Sequence, residues 1–366
     1  MKIKLLGEPK VVMSNFGSNH NYFAWPTVAR LQNGKLAVAA SGFRLSHICP
    51  FGKTVLCYSE NEGESYTAPA PIIDTVLDDR DGGVMTFGKS GVIVTSFNNT
   101  VSFQREQRRP DGDIQLPYRN AYLDMVTEKE EKAVLGATFK ISNDCGVTFG
   151  ELHKSPVTSP HGPVELSDGS ILWVGRTFSR TNKVMQDDKI KAYTLNPKDG
   201  SMEYAGEIEN ICVDSIRPLS CEPHTIQLAD GRLICHIRVQ SYSPQRKMFT
   251  VYQSESSDLG KTWTKPCQIL EDTEGSPPHL YMHSSGTLIC TYGNRNAPFG
   301  IKVMFSKDSG STWDKGYDLY VNGVSEDLGY PSTAELADGS MLTVFYAHRK
   351  ENEPAVILQQ RWKLEE

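Results

Sequence analysis

A β-hairpin built around a tight glycine turn recurs six times, and this repeat constrains the fold more than any other feature of the chain. In each copy, two runs of alternating apolar and polar residues flank Asn-Gly, Asp-Gly or Ser-Gly, which is the pattern of a β-hairpin. The turn glycines, 53 to 78 residues apart, are Gly34, Gly91, Gly169, Gly231, Gly286 and Gly339. Repeats of this length are typical of propeller blades. The sequence therefore predicts an all-β, six-bladed β-propeller with four-stranded antiparallel blades, formed by residues 1–366 as a single domain.

Four octets of the form Ser-x-Asp/Asn-x-Gly-x-Ser/Thr-aromatic lie between these hairpins. They are SENEGESY at 59–66, SNDCGVTF at 142–149, SSDLGKTW at 256–263 and SKDSGSTW at 306–313. The carboxylate or amide is suited to capping backbone N–H groups, the glycine to a positive φ angle, and the aromatic ring to burial under the blade edge. We interpret the octets as structural turns that mark the register of the blades.

The longest interval between hairpins, in the second blade, carries an insertion. Within PYRNAYLDMVTEKEEKAVLGAT, at residues 117–138, Tyr122, Met125 and Val126 form a rough helical stripe beside Glu and Lys residues. This spacing predicts one short helix inserted into that blade.

Composition and charge argue against several classes of protein. The net charge of −6 disfavours nucleic acid and anionic membranes as partners, and the one basic cluster, at residues 104–110, is short enough to be a solvated loop. The apolar N-terminal run ends at Gly7, and no later run reaches about 18 apolar residues. As given, the chain is expected to be soluble and cytoplasmic, with export left open if a leader had been removed.

The sequence shows no motif for a cofactor. Its eight cysteines are scattered without a C-x-x-C pair and are expected to be reduced thiols. A Gly-rich phosphate loop, a G-x-S-x-G elbow and an H-E-x-x-H pair are all missing from the sequence. No cofactor and no metal ion is therefore predicted.

The octets resemble Asp-boxes, and the hairpins around them resemble the sialidase superfamily of six-bladed β-propellers over nearly the whole chain. Asp-boxes also occur in propellers that are not sialidases, so the resemblance is stronger for fold than for function. It implies a central site in which three arginines bind a sugar carboxylate, a tyrosine activated by a glutamate is the nucleophile, and an aspartate is the acid/base.

Matching motifs carry four of these roles onto this chain. In CEPHTIQLADGRLICHIR, the resemblance makes Glu222 the candidate base and Arg238 a candidate carboxylate ligand. The stretch beginning TYGNRNAPFG supplies Arg295 as a second ligand, and LGYPSTAELADGS supplies Tyr330 as the candidate nucleophile. The structural alternatives are that Tyr330 packs in the core and that Arg238 is a surface charge at a strand end.

Two departures from the family pattern concern the first blade. Where the family has Tyr/Phe-Arg-Ile-Pro, this chain has FAWP, so that Ala24 replaces an arginine. Arg44 follows the first hairpin as expected, and the resemblance makes it a candidate substrate-binding residue. The next loop, LSHICPFG, offers His47 and Cys49 in place of the aspartate. A lost charge-assisted contact is worth about 1.5–3 kcal/mol, and a lost acid/base about 10²–10⁴ in rate.

Other side chains at the starts of inner strands are candidates to fill these gaps, because such positions face the central mouth of a propeller. His47 or Asp81 is a candidate proton donor, and Arg80 is a candidate to restore the missing cationic charge. A three-histidine metal site is conceivable but less favoured than hydrogen bonding. The residues placed at the mouth are Arg80, Asp81, His161, Glu222, His224, His279 and Tyr330.

These residues lead to three candidate functions. The first two act on a carbohydrate substrate, and the third is binding without catalysis. The first is a glycosidase that removes a terminal acidic sugar with Tyr330 and Glu222. The second is a hydrolase or lyase on uronic-acid-type glycans, with a pocket lined by His47, His161, His224 and His279. The third is a propeller that binds glycans or partners without catalysis.

Overall fold

The computed structural model describes residues 1–107, 115–177 and 189–365. In these residues, six antiparallel sheets surround a central axis, which confirms the predicted six-bladed propeller with four-stranded blades. Two blades have an extra short strand, because one of their four strands is built from two separate pieces.

The chain forms the blades in order, and each begins with its inner strand. The N-terminal strands are β1 (Lys2–Leu5) and β2 (Lys10–Met13). Blades 1 and 2 contain β3 (Tyr22–Arg30), β4 (Leu36–Arg44), β5 (Lys53–Ser59), β6 (Ala70–Ile73), β7 (Arg80–Phe87), β8 (Gly91–Phe97), β9 (Ala137–Ser142) and β10 (His153–Ser155). Blades 3 and 4 contain β11 (Val157–Thr158), β12 (Val164–Glu165), β13 (Ile171–Thr177), β14 (Ile190–Leu195), β15 (Met202–Ile208), β16 (Leu219–Gln227), β17 (Leu233–Ser243), β18 (Arg246–Ser256) and β19 (Cys267–Gln268). Blades 5 and 6 contain β20 (Pro278–Met282), β21 (Leu288–Asn294), β22 (Phe299–Ser306), β23 (Asp314–Gly323), β24 (Gly329–Glu335), β25 (Met341–Ala347) and β26 (Val356–Glu365).

The N-terminal strands close the ring. Both β1 and β2 pair with β26, the last strand, with Lys2 opposite Glu365 and Met13 opposite Ile357. The outer edge of blade 6 is therefore made from the beginning of the chain.

The hydrophobic core is divided among the gaps between blades. Six clusters of buried apolar residues each combine side chains from two neighbouring blades, for example Val38 of β4 with Val344 of β25. Because the middle strands are covered on both faces, they appear in the sequence as nearly continuous apolar runs.

The insertion in blade 2 contains three short helices, so the prediction of a single helix was wrong in number. They are α1 (Val101–Glu106), α2 (Leu116–Met125) and α3 (Glu128–Val134). Extended backbone at Val126 ends α2, and a capping box between Thr127 and Glu130 starts α3. Arg105, from the predicted basic loop, pairs with Asp124 at 2.5 Å; residues 108–110 of that loop lie outside the described residues.

The octets are turns, as predicted. In the octet at 306–313, the Ser306 hydroxyl donates to Asp308 (2.8 Å) and accepts from the backbone N–H of Gly310 (2.8 Å). Gly310 has a φ of 90°, which a residue with a side chain rarely adopts. The indole of Trp313 donates to Gln253 of β18 at 3.0 Å, so the turn also ties blade 5 to blade 4.

Candidate active site

Four inner strands carry the same backbone distortion close to their starts. The strand register shifts in β3, β7, β16 and β24, and one residue with a positive φ lies inside each shift. These residues, each followed by Pro or Gly, are Trp25 (φ 55°), Asp81 (φ 50°), Glu222 (φ 50°) and Tyr330 (φ 50°). Such bulges change the direction in which a side chain points. We call these four residues the floor.

Tyr330, Glu222 and Arg238 meet in this floor. The Tyr330 hydroxyl donates to Glu222 Oε1 at 2.7 Å, and Arg238 Nη1 donates to Glu222 Oε2 at 2.6 Å. The same nitrogen lies 3.1 Å from the Tyr330 oxygen. The sequence-based expectation that Glu222 reaches Tyr330 is therefore met in the geometry, and Arg238 bridges the two.

The electrostatics of Tyr330 depend on this arrangement. Burial raises the pKa of its phenol well above the ordinary value, the Glu222 carboxylate raises it further, and Arg238 opposes the rise. The hydroxyl is therefore protonated at neutral pH, and it already donates a hydrogen bond to a carboxylate that can accept the proton.

Asp81 is a buried carboxyl group in the same floor. Burial is the main cause that raises its pKa to about 7; nearby Glu222 also raises it, and Arg80 and Arg44 lower it. Near neutral pH, a large fraction of Asp81 is therefore uncharged.

The predicted role of Arg44 in binding substrate was wrong. Arg44 and Asp78 are fully buried and form a paired contact of 2.5 and 3.0 Å, so the guanidinium has no surface to offer a ligand. Arg80 is also largely buried: it lies 4.1 Å from the Trp25 ring centroid and 3.6 Å from Asp78. The Arg44 guanidinium lies 4.8 Å from the same ring centroid, so both arginines pack on the Trp25 ring.

An open cavity of about 620 Å³ takes its wall from residues of blades 1, 4, 5 and 6. Its lining includes Arg295, whose guanidinium lies 5.2 Å from the Phe249 ring centroid and 5.9 Å from that of Tyr330. Arg295 has no acidic partner among the described residues, whereas Arg238 is held by Glu222 and Gln240. Arg295 is therefore suited to meet an anionic ligand.

His47 also lines this cavity, and the structure gives it a partner that sequence reasoning missed. Its Nδ1 lies 2.8 Å from Asp327 Oδ1 and 3.0 Å from the Tyr22 hydroxyl. The ring is 44% exposed, but that surface faces the interior of the cavity. Burial lowers the pKa of His47, the hydrogen bond to Asp327 opposes this, and the positive charge of Arg80 reinforces it.

His161, His224 and His279 come together, but not in the predicted substrate site. His224 lies two residues beyond Glu222, His279 is the second residue of β20, and His161 lies in the break between β11 and β12. Their ring centroids are 4.3 to 5.3 Å apart. They line a second cavity of about 400 Å³, whose lining differs from that of the first. Their predicted contact with the same substrate as Tyr330 is therefore corrected.

Hydrogen bonding fixes two of these imidazoles in a form unsuited to metal ligation. Backbone N–H groups of Leu280 and Thr333 donate to Nδ1 of His224 and His279, respectively, so each carries its proton on Nε2. Burial lowers the pKa of His224 to about 3 and those of the other two well below the ordinary value. In the described part of the chain, no three His, Cys, Asp or Glu side chains are arranged to hold a metal ion.

Comparison with known families identifies the chain. The sequence model of the BNR repeat-like domain matches residues 90–344. The chain belongs to the BNR repeat-like family. No curated protein sequence matches this BNR repeat-like protein.

Solved structures share the fold of this BNR repeat-like protein at low sequence identity. A protein of unknown function from Dyadobacter fermentans is similar over 99% of both chains, with 18% identity and a TM-score of 0.75. The NanB sialidase of Streptococcus pneumoniae has 10% identity and a TM-score of 0.67, over 98% of this chain and 71% of that one. The intramolecular trans-sialidase of Ruminococcus gnavus has 12% identity and a TM-score of 0.64, over 97% of both. The chain therefore has a sialidase-like propeller fold.

Sequence reasoning missed several residues of the BNR repeat-like site. Asp78 is the buried partner of Arg44, Asp327 pairs with His47, and the Phe249 ring contacts both Arg238 and Arg295. The sequence shows the charged segment LDDRDGG at residues 77–83 and Asp327 three residues before Tyr330, but nothing in it indicates which residues they contact. Among the described residues, no helix is long and apolar enough to cross a membrane.

Proposed function

We propose that this protein is a retaining exo-glycosidase that releases a terminal acidic sugar from a glycan, with Tyr330 as nucleophile and Glu222 as its base. The observation that carries the proposal is the 2.7 Å hydrogen bond from the Tyr330 hydroxyl to Glu222. A phenol is a weak nucleophile unless a neighbouring base takes its proton, and this pair has the required contact.

In the first step, the Tyr330 oxygen bonds to the anomeric carbon while the bond to the leaving oxygen breaks. The phenolic proton passes to Glu222, and a proton donor protonates the leaving oxygen. In the second step, water attacks the same carbon and releases Tyr330, which recovers its proton from Glu222. Arg238, within 3.1 Å of the phenolic oxygen, stabilises negative charge that develops there.

An acidic sugar is favoured by the cationic groups around the cavity. Arg295 lines it with no acidic partner among the described residues, and Lys247 lies on the same wall. A guanidinium pairs with a carboxylate through two parallel hydrogen bonds. The floor lacks the arginine expected at Ala24, so we expect weaker binding of the carboxylate than three arginines would give.

The structure does not favour the alternative of a histidine-based enzyme acting on uronic-acid glycans. That hypothesis requires His161, His224 and His279 to line one pocket with His47. The three histidines line a different cavity from His47.

The proposal is tested with aryl glycosides of sialic acid, its deaminated analogue and uronic acids, using wild-type protein and Tyr330→Phe. We expect turnover of at least one acidic sugar by the wild type and a loss of about 10³-fold or more in Tyr330→Phe, since the nucleophile is removed. Trapping with a fluorinated form of the active sugar should add its mass to a peptide that contains Tyr330.

Tyr281→Phe is a matched control, because its phenol lies in the second cavity and takes no part in the proposed reaction. A Tyr330→Phe variant as active as the wild type, or no turnover of any acidic sugar by the wild type, would overturn the proposal.

A further inference from the structure

We propose that His47 is the catalytic proton donor and acceptor of this reaction and that Asp327 is the positioning residue that orients it. The inference rests on the proposed function and names a residue pair that replaces the missing loop aspartate of the family pattern. It also decides between the two candidates that the sequence left open, His47 and Asp81.

The position of the two candidates relative to Tyr330 distinguishes them. A retaining enzyme needs its nucleophile and its acid on opposite sides of the anomeric carbon. Asp81 lies in the floor, at the same bulge position as Tyr330, and is only 6% exposed. His47 lies in the loop between β4 and β5 and lines the open cavity, with its ring edge-on to Trp25 at 5.1 Å between centroids. Of the two candidates, His47 is therefore the one whose ring reaches the open cavity, where a leaving group can be protonated.

The hydrogen bonds of His47 leave one nitrogen for the reaction. Asp327 Oδ1 accepts the Nδ1 proton at 2.8 Å, so the other nitrogen, Nε2, carries the exchangeable proton. Nε2 makes no hydrogen bond to the described residues. The backbone is fixed as well, because Arg44 and Arg80 donate to the His47 carbonyl at 2.8 and 3.2 Å.

Asp327 is held in place by three further side chains. Tyr22 and Tyr346 donate to its oxygens at 2.8 and 3.0 Å, and His348 Nε2 lies 2.9 Å from Oδ2. A carboxylate with this many donors stays ionised, so it fixes the tautomer of His47 and stabilises its charged form. The charged and titratable groups that face His47 are Asp327, Tyr22, Arg80 and Arg44.

The proton balance closes over the two steps. In the first, the His47 imidazolium gives its Nε2 proton to the oxygen of the breaking glycosidic bond and becomes neutral. In the second, neutral His47 takes a proton from the attacking water as the oxygen of that water bonds to the anomeric carbon. Asp327 remains a carboxylate throughout.

The test compares two substrates of the same acidic sugar, one with an activated aryl leaving group and one linked to another sugar. An activated aryl oxygen leaves without protonation, whereas a sugar oxygen needs the acid. In His47→Ala, we expect kcat/KM to fall about 10²–10⁴-fold for the sugar-linked substrate and far less for the aryl glycoside. Added azide attacks the sugar bonded to Tyr330 without help from a base, so it should restore the kcat of His47→Ala on the aryl glycoside.

Asp327→Asn tests the positioning role through the pH profile. Loss of the carboxylate disfavours the imidazolium, so the alkaline limb of kcat/KM for the sugar-linked substrate should move to lower pH, whereas a purely structural defect would lower the profile without moving it. Tyr22→Phe keeps the carboxylate and serves as the matched variant, with a smaller shift. Circular dichroism and thermal unfolding check the fold of each variant, and His47→Gln replaces His47→Ala if the latter fails to fold.

The outcomes separate the two proposals. Equal losses on both substrates in the His47 variants, or a leaving-group-dependent loss in Asp81→Asn instead, would overturn the assignment of His47 while leaving Tyr330 as nucleophile. Absence of wild-type activity on every acidic sugar would overturn the proposed function and this inference with it.

Discussion

At the scale of single residues, the site uses one backbone distortion to present four different side chains. Trp25, Asp81, Glu222 and Tyr330 all have a left-handed backbone conformation, which costs an L-residue about 1–2 kcal/mol. None of the four is Gly or Asn, the residues that adopt it most easily. Strain of this kind concentrates at functional positions, and here it occurs at all four residues of the floor.

Asp81 is predicted to destabilise the folded protein at neutral and alkaline pH. Its folded-state pKa of about 7 lies above the ordinary value, so between about pH 4 and 7 the folded state binds more protons than the unfolded state. The stability that protonated Asp81 contributes is fully present below that pH window and is lost as the pH rises through it. The free energy of unfolding of Asp81→Asn should therefore increase relative to that of the wild type as the pH rises, by on the order of 1–4 kcal/mol.

Urea unfolding at pH 4.5, 6 and 8 checks this expectation. The difference between variant and wild type should grow up to about pH 7 and then level off. A difference that is the same at all three pH values would show that burial of this carboxyl has no proton-linked cost.

Resemblance found the residues whose motifs are local, and it missed those defined by contacts between distant segments. Tyr330, Glu222 and Arg238 each lie in a short pattern beside a hairpin. His47 and Asp327 are separated by 280 positions, and their pairing depends on how blade 6 meets blade 1. Arg44 was misjudged because its burial against Asp78 is not apparent until the segment between β6 and β7 is folded.

At the scale of elements, the octets hold the blades through one buried serine each. In every octet the serine hydroxyl accepts the glycine N–H at 2.8 or 2.9 Å. The pattern predicted this turn because each of its polar atoms has a local partner. Local patterns were less informative in blade 3, where the inner strand is split into β11 and β12, and in blade 2, where two caps divided one expected helix into separate short ones.

Ser306→Ala is expected to destabilise the protein by about 1–3 kcal/mol, since it leaves the buried N–H of Gly310 without its partner. The free energy of unfolding in urea measures the loss. Ser311→Ala, in the same octet, is the matched control, because the Ser311 hydroxyl is exposed and bonds only to the Asp308 carbonyl among the described residues. A similar loss in both variants would contradict the assignment of this role to Ser306.

At the scale of the whole molecule, the number of blades was predictable and the closure of the ring was not. Six hairpins at regular spacing dictate six sheets, and each sheet covers its neighbours. The short segments KIKL and KVVM carry no pattern that assigns them to the last blade. Their place is decided by the exposed edge of β26, which needs backbone partners.

Met13→Ala tests this closure. The Met13 side chain is 1% exposed and belongs to the core shared by blades 1 and 6, so the substitution should cost about 2–5 kcal/mol. Leu5→Ala, at an N-terminal position that is 47% exposed, should change stability by less than about 0.5 kcal/mol. Thermal unfolding distinguishes the two, and a Met13 variant as stable as the wild type would show that the N-terminal strands do not secure the ring.

The pairing of Lys2 with Glu365 also determines when the N-terminal strands can pair during biosynthesis. The first two strands leave the ribosome with no partner and wait until β26, the last strand of this chain, has been made. Native contacts that span almost the entire sequence form slowly, and unpaired strand edges are prone to aggregate in the meantime. Lysines in both waiting strands (Lys2, Lys4 and Lys10) supply charge that discourages such pairing. The ring is therefore completed only after β26 has been made.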